Sequence, residues 1–140
     1  MCLGVYYTHA DQDLRLYFPN PAATLPVRTR NGAIRLLPWG RRQQQAGQLP
    51  LGGWARLEAI YTGRWDRWRP LPVKLPVKSF AERDLEGHSR WYDLTRGQWI
   101  QGLVARSAHE QRVYVVTIEP ERDEAMHERW PRILSGGIPA

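Results

Sequence analysis

Residues 30–39 read "RNGAIRLLPW", and the Asn31-Gly32 pair followed by an apolar run from Ile34 is the signature of a two-residue β-hairpin turn. Outward from this hairpin, runs rich in Val, Ile, Leu, Tyr and Trp recur at 3–8, 34–39, 54–61, 98–106 and 112–118, divided by Gly and Pro, which is the pattern of a β-rich domain. The segment "SAHEQ" at 107–111 would join the last two runs as a second antiparallel pair. Helical patterning is confined to two places. In "EPERDEAMHERWP", Pro120 suits a first helical position, Glu121, Asp123 and Glu124 favour the positive end of the helix dipole, and Pro131 would stop the helix. Residues 41–47 are a weaker helical candidate, and residues 62–79, interrupted by Pro70, Pro72 and Pro76, read as irregular loop. The expectation is one α+β domain over residues 1–134, a mainly antiparallel, barrel-like twisted β-sheet with one or two short helices, followed by a disordered tail at 135–140.

The 140 residues suffice for one domain with a genuine core. No run approaches the roughly 18 apolar residues of a membrane helix, and "MCLGVYYTHADQD" has no basic segment before its short apolar stretch, so a cytoplasmic, nucleoid-associated location without membrane contact is expected. Cys2 is the single cysteine, which excludes an internal disulfide framework and a thiolate zinc cluster, and the scattered histidines form no metal motif. No cofactor is expected. Lys and Arg outnumber Asp and Glu by 20 to 14, and all the basic residues except Lys74 and Lys78 are arginine. Such a surface attracts polyanions, although genomic base composition also explains an arginine bias. The stretch "GRWDRWRP" at 63–70 interleaves Arg64, Arg67 and Arg69 with Trp65 and Trp68, a mixture found in single-strand stacking platforms.

Several separated fragments, in order, resemble the SOS response-associated peptidase (SRAP) family, whose members trap abasic sites in single-stranded DNA. Met1-Cys2 stands where the family opens Met-Cys-Gly-Arg; "PNPAATLPV" at 19–27 is similar to its Asn-x-Ala-Pro segment; "LLPWG" at 36–40 is similar to its Arg-Trp-Gly-Leu-Ile-Pro strand. "WARLEAI" at 54–60 resembles Asn-Ala-Arg-x-Glu-Thr, "LPVKSFAERD" at 75–84 resembles Ile-Pro-Ala-x-Gly-Phe-Tyr-Glu-Trp, and 115–134 resembles the closing Thr-x-x-Ala-Asn, His-x-Arg-Met-Pro block. Departures are Leu3-Gly4 for Gly-Arg, "WGRR" for Trp-Gly-Leu-Ile, Ser79 for Gly and Trp130 for Met, and the middle of the chain is short.

The resemblance implies that Met1 is removed, by self-processing or by an aminopeptidase, and that Cys2 then carries a free amine and a thiol two carbons apart. With the aldehyde of a ring-opened abasic sugar, amine and thiol together close a thiazolidine ring. An α-amine with a pKa of about 7.7–8.0 has a usable neutral fraction at physiological pH. Glu82 aligns with the family's catalytic glutamate and His127 with its helix-end histidine, both suited to proton transfer, and Asn20 with an asparagine that holds the reacting groups. Arg56 aligns with an arginine that grips phosphate; Trp39, Arg41, Arg42, Trp65, Arg67 and Trp68 are weaker candidates for DNA contact. The implied partner is single-stranded DNA containing abasic sites, bound by a monomer. Each residue has a plainer alternative: Cys2 a buried strand residue, Glu82 a solvated charge, His127 a surface helix residue, Asn20 a turn former before proline, Arg56 a partner for Glu58. Two further functions stay open at this point. One is a nucleic-acid-binding module that kept the fold and lost the chemistry; the other is a glutamine amidotransferase-like hydrolase with an N-terminal cysteine, for which no Gly-rich oxyanion element is found.

Overall fold

The computed structural model describes residues 1–120 and 129–136 of the chain. Four strands, β1 (Cys2–His9), β2 (Gln12–Tyr17), β7 (Ser79–Arg83) and β8 (Ser89–Asp93), form an antiparallel sheet in the order β2-β1-β7-β8. Six others form a larger sheet in the order β11-β10-β9-β6-β3-β4: β3 (Thr24–Arg28), β4 (Ile34–Pro38), β6 (Leu71–Leu75), β9 (Gln98–Arg106), β10 (Gln111–Ile118) and β11 (Trp130–Pro131). Two more extend it, β12 (Ile133–Ser135) antiparallel to β9 and β5 (Trp54–Arg56) parallel to β10. The architecture is thus a mostly antiparallel, mixed β fold with one short α-helix among the described residues, α1 (Leu57–Tyr61), compatible with α+β. The sheet is not a closed barrel, although an isolated parallel bridge between Trp39 and Val113 brings the chain after β4 back against β10.

Alternation along β9 and β10 explains the two cores. Ile100, Val104, Val113 and Val115 face a core shared with the smaller sheet, where Val5, Tyr7, Leu25, Leu75 and Phe80 meet them. On the opposite face of the same strands, Leu103, Ala105, Tyr114 and Val116 are covered by Leu49, Ala55 and Trp65, with α1 packed outside through Leu57, Ala59 and Ile60. Two glycines let the cover lie close. A Cβ on Gly53 would stand 2.7 Å from both the Trp39 indole nitrogen and the Phe18 ring, and Gly40, at φ +58°, would place a Cβ 2.2 Å from the Gly52 carbonyl.

The hairpin lies where its turn residues put it, but Arg28 pairs with Ile34, so the loop is residues 29–33 rather than two residues. Asn31 Oδ1 accepts from the Ala33 amide at 3.1 Å, an Asx-type turn with Gly32 at φ +84°. The run 98–106 is β9, and 107–111 does connect it to an antiparallel β10. Three expectations are corrected. Residues 54–61 are not one strand, because β5 ends after three residues and Leu57–Tyr61 turn into helix, packing the half-buried Leu57 and Ile60, one turn apart, against the second core. Residues 41–47 form a turn instead of a helix, folded around Arg41, whose guanidinium donates to Gln45 O and Leu49 O. Residues 62–79 contain a 3₁₀ turn at Asp66–Trp68 and all of β6; Pro72 is accommodated because β6 pairs with β3 only at Lys74–Arg28, leaving Pro72 without a partner on that side. The helix read over 120–131 lies mostly outside the described residues, but Trp130–Pro131 belong to β11. Ser135, expected in the tail, ends β12.

Candidate functional site

The amino end of the chain enters the smaller sheet beside its central strand. Cys2 and Glu82 are direct partners across β1 and β7, with a bulge between Cys2 and Gly4. Four of the five β7 residues are buried, and Glu82 shares the core-facing side of the strand with Phe80, two residues earlier. Phe80, Tyr92 and Trp130 form an aromatic cluster with centroid separations of 5.0–5.6 Å. The sequence therefore carries a carboxylate into an apolar strand, at a position where any residue chosen for stability alone would be aliphatic.

The Met1 α-ammonium stands 2.7 Å from Glu82 Oε2. Neither carboxylate oxygen accepts any other hydrogen bond among the described residues. Burial pushes the Glu82 carboxyl up to about 7, against the pull of the ammonium. That is the range in which a carboxyl both takes and returns a proton near neutrality. The Cys2 thiol is fully buried, 3.6 Å from Gly4 O; burial first and the Glu82 charge second push its pKa far up, so it is a neutral thiol while Met1 precedes it.

Two residues that the sequence reading did not single out hold this end in place. The Trp54 indole donates to Cys2 O at 2.7 Å and packs against Phe18 at 4.8 Å, tying the start of β1 to β5 of the larger sheet. Phe18 in turn has its amide bonded to Leu3 O. The one available signal is that Trp54 precedes Arg56 by two positions, and so lies on the same face of β5.

The remaining candidates separate into groups. Arg56 is exposed on β5, on the face that carries Trp54, and its guanidinium makes no hydrogen bond or salt bridge among the described residues. Glu58 instead pairs with Arg129, both guanidinium nitrogens at 3.0 Å, and Arg129 also donates to Thr117 O and Oγ1. Asn20 is an exposed turn residue whose Oδ1 accepts from the Ala22 amide at 2.9 Å, the turn-former alternative; no hydrogen bond ties it to Cys2 or Glu82. Trp39 is entirely buried, its indole donating to Gly53 O, so it offers no face to a base. Arg42 is buried and spends its guanidinium on Phe18 O and Trp39 O, and Arg41 is committed to its turn. Trp65 is buried edge-on against Tyr114, and Trp68 is half-buried with the Arg67 guanidinium 4.4 Å above its ring. The Arg-Trp segment is thus largely the cover of the second core. His127 lies outside the described residues.

No protein-family model, curated protein or solved structure matches the chain. The described residues contain no cluster of three or more His, Cys, Asp or Glu able to hold a metal ion, and no helix long and apolar enough to cross a membrane.

Proposed function

We propose that this chain is a compact, SRAP-like protein with a barrel-like sheet that captures abasic sites in single-stranded DNA through Cys2 once Met1 is removed. The observation that carries the reading is the meeting of the chain's amino terminus with a buried, otherwise unbonded carboxylate, Glu82, directly across from the single cysteine. The return of the chain after β4 to β10 supports the barrel-like description.

In the first step water hydrolyses the Met1–Cys2 peptide bond, with Glu82 taking a proton from the water and handing it to the departing Cys2 amine. The new amine adds to the sugar aldehyde and loses water to give an imine. The Cys2 thiol then adds to the imine carbon, its proton passing to nitrogen by way of Glu82, and the five-membered ring closes. Capture releases one water and needs no oxidant or metal. Arg56, unpaired on the strand that holds Cys2 through Trp54, is suited to a phosphate next to the lesion.

The sealed thiol of the Met1-bearing chain favours a second reading, a fold that binds nucleic acid and has lost the chemistry. Intact-mass measurement before and after incubation with an abasic oligonucleotide separates the two. The first reading expects a chain starting at Cys2 and a covalent adduct lighter by one water than the sum of its parts, abolished by Cys2→Ala. Retention of Met1, or no adduct from chain lacking it, overturns that reading.

A further inference from the structure

We propose that the outer face of the larger sheet carries a second binding groove, for an intact single strand of nucleic acid, separate from the Cys2 end of β1. Alternation builds it. The register that sends Val73, Leu75 and Ile100 into the first core sends Lys74 and its cross-strand partners, Arg28 on β3 and Gln101 on β9, outward. The far end of this face is closed by the second core, and the near end is left open as a cavity of about 560 Å³. Arg28, Arg30 and Lys74 line it over a floor that includes Pro72, Trp99 and Leu134.

The cavity does not stand alone. It shares Thr29 and Arg30 with a neighbouring depression that adds Arg35. On its other side it passes through Pro76, Gly97 and Gln98 into one that adds Lys78 and Arg96. Asp93 is the one carboxylate along the whole path. None of the six cations joins a salt bridge among the described residues. The path thus holds six cations against one carboxylate, a local excess of five positive charges. By contrast, Arg42 and Arg129 are buried and saturated, and Arg112 is paired with Glu110.

A row of unpaired cations calls for a polyanion, and the floor selects which. The Lys74 ammonium lies 4.3 Å from the centre of the Trp99 ring, and Lys78 lies 5.8 Å from that of Tyr6. A duplex would meet the arginines with phosphates and leave Trp99, Pro72 and Leu134 uncovered. A single strand lays bases on those surfaces while its phosphates follow the cations. At the Lys78 end the furrow reaches the Tyr6–Ser79 pair, four residues along β1 from Cys2 and so about 13 Å from the Cys2–Glu82 pair.

Fluorescence anisotropy with a labelled 20-nucleotide strand lacking any abasic site tests the groove. The Arg28→Glu/Lys74→Glu double variant of the full chain should bind at least tenfold more weakly than the unaltered chain, with a shallower dependence on salt. The strand carries no aldehyde for Cys2 to capture, which keeps this result apart from that of the crosslinking assay. Should the double reversal fail to fold by thermal melting, Arg30→Gln/Arg96→Gln at exposed positions replaces it, with a threefold or larger loss expected. A duplex of the same length, or inorganic polyphosphate, should compete less well than the unlabelled strand. Unchanged affinity in the folded groove variants, or equal or better competition by duplex or polyphosphate, overturns the proposal.

Discussion

Arg42 and Glu82 are both charged groups carried into the interior, 6% and 0% exposed, and their surroundings are opposite. Around Arg42 the chain supplies the Phe18 carbonyl to Nε, the Trp39 carbonyl to a terminal nitrogen, and the Phe18 ring 4.0 Å from the guanidinium carbon. Around Glu82 it supplies one ammonium, itself on a residue 38% exposed, and no other hydrogen-bond partner among the described residues. Saturation of the first is what a structural charge requires, since a buried polar group without partners costs more than its hydrogen bonds return. Leaving the second short of partners costs stability at one point, so the two buried charges are held in opposite ways.

The comparison breaks first at Arg42. Arg42→Met keeps the apolar stem and removes all the polar contacts, orphaning two carbonyls and the face of Phe18; stability in urea should fall by about 3–5 kcal/mol. A loss below about 1 kcal/mol would show that the two buried charges are not held differently.

Glu82 sharpens it, because replacing a poorly partnered charge should help rather than harm. A carboxyl raised from 4.5 to about 7 on folding is protonated in both states below pH 4.5 and carries no penalty there. Between pH 4.5 and 7 the unfolded chain ionises while the folded one resists, so stability declines as pH rises through that window and levels off above it, by an amount on the order of 3 kcal/mol. Glu82→Gln should abolish the decline in the Met1-bearing chain and leave it more stable at pH 7.5 than the unaltered protein. Urea midpoints at pH 4.5 and 7.5 measure both. A decline that persists in the variant belongs to another group.

How far such features can be read in the sequence depends on which signal each residue sends. Strands buried on a continuous face, such as β9 and β10, are visible as long apolar runs, and β1 likewise. Strand β8 is exposed along most of its length and β6 contains a proline, so composition does not mark them, whereas β2 carries a short alternation, Leu14 and Leu16 between Asp13 and Arg15, that a search for long apolar runs passes over. At the site, the pairing of Cys2 with Glu82 is a contact between residues 80 positions apart, and only the motif order suggested it. Trp39 and Trp65 show the opposite failure. Tryptophan beside arginine reads equally as stacking platform or as core, and burial, a tertiary property, resolved both as core.

The smallest effect is expected at the other internal cation. Arg129 is 5% exposed and bonded on every side, to Thr117 O at 2.7 Å, to Thr117 Oγ1 and to both oxygens of Glu58, but Glu58 itself is 56% exposed. Removing Glu58 therefore leaves a cation that keeps its threonine contacts and gains water in place of the carboxylate. Glu58→Gln should cost about 1 kcal/mol, at the low end for a bidentate pair because solvent screens the exposed partner. The hydrogen bonds from Arg129 hold the Glu58 carboxyl below its usual range, so this contribution is present above pH 4.5 and lost as pH falls through the lowered value, the reverse of the Glu82 dependence. Urea unfolding between pH 3 and 5 should show the difference between Glu58→Gln and the unaltered chain shrinking toward the acid end. A cost that stayed constant across that range would assign Glu58 a packing role rather than an ionic one.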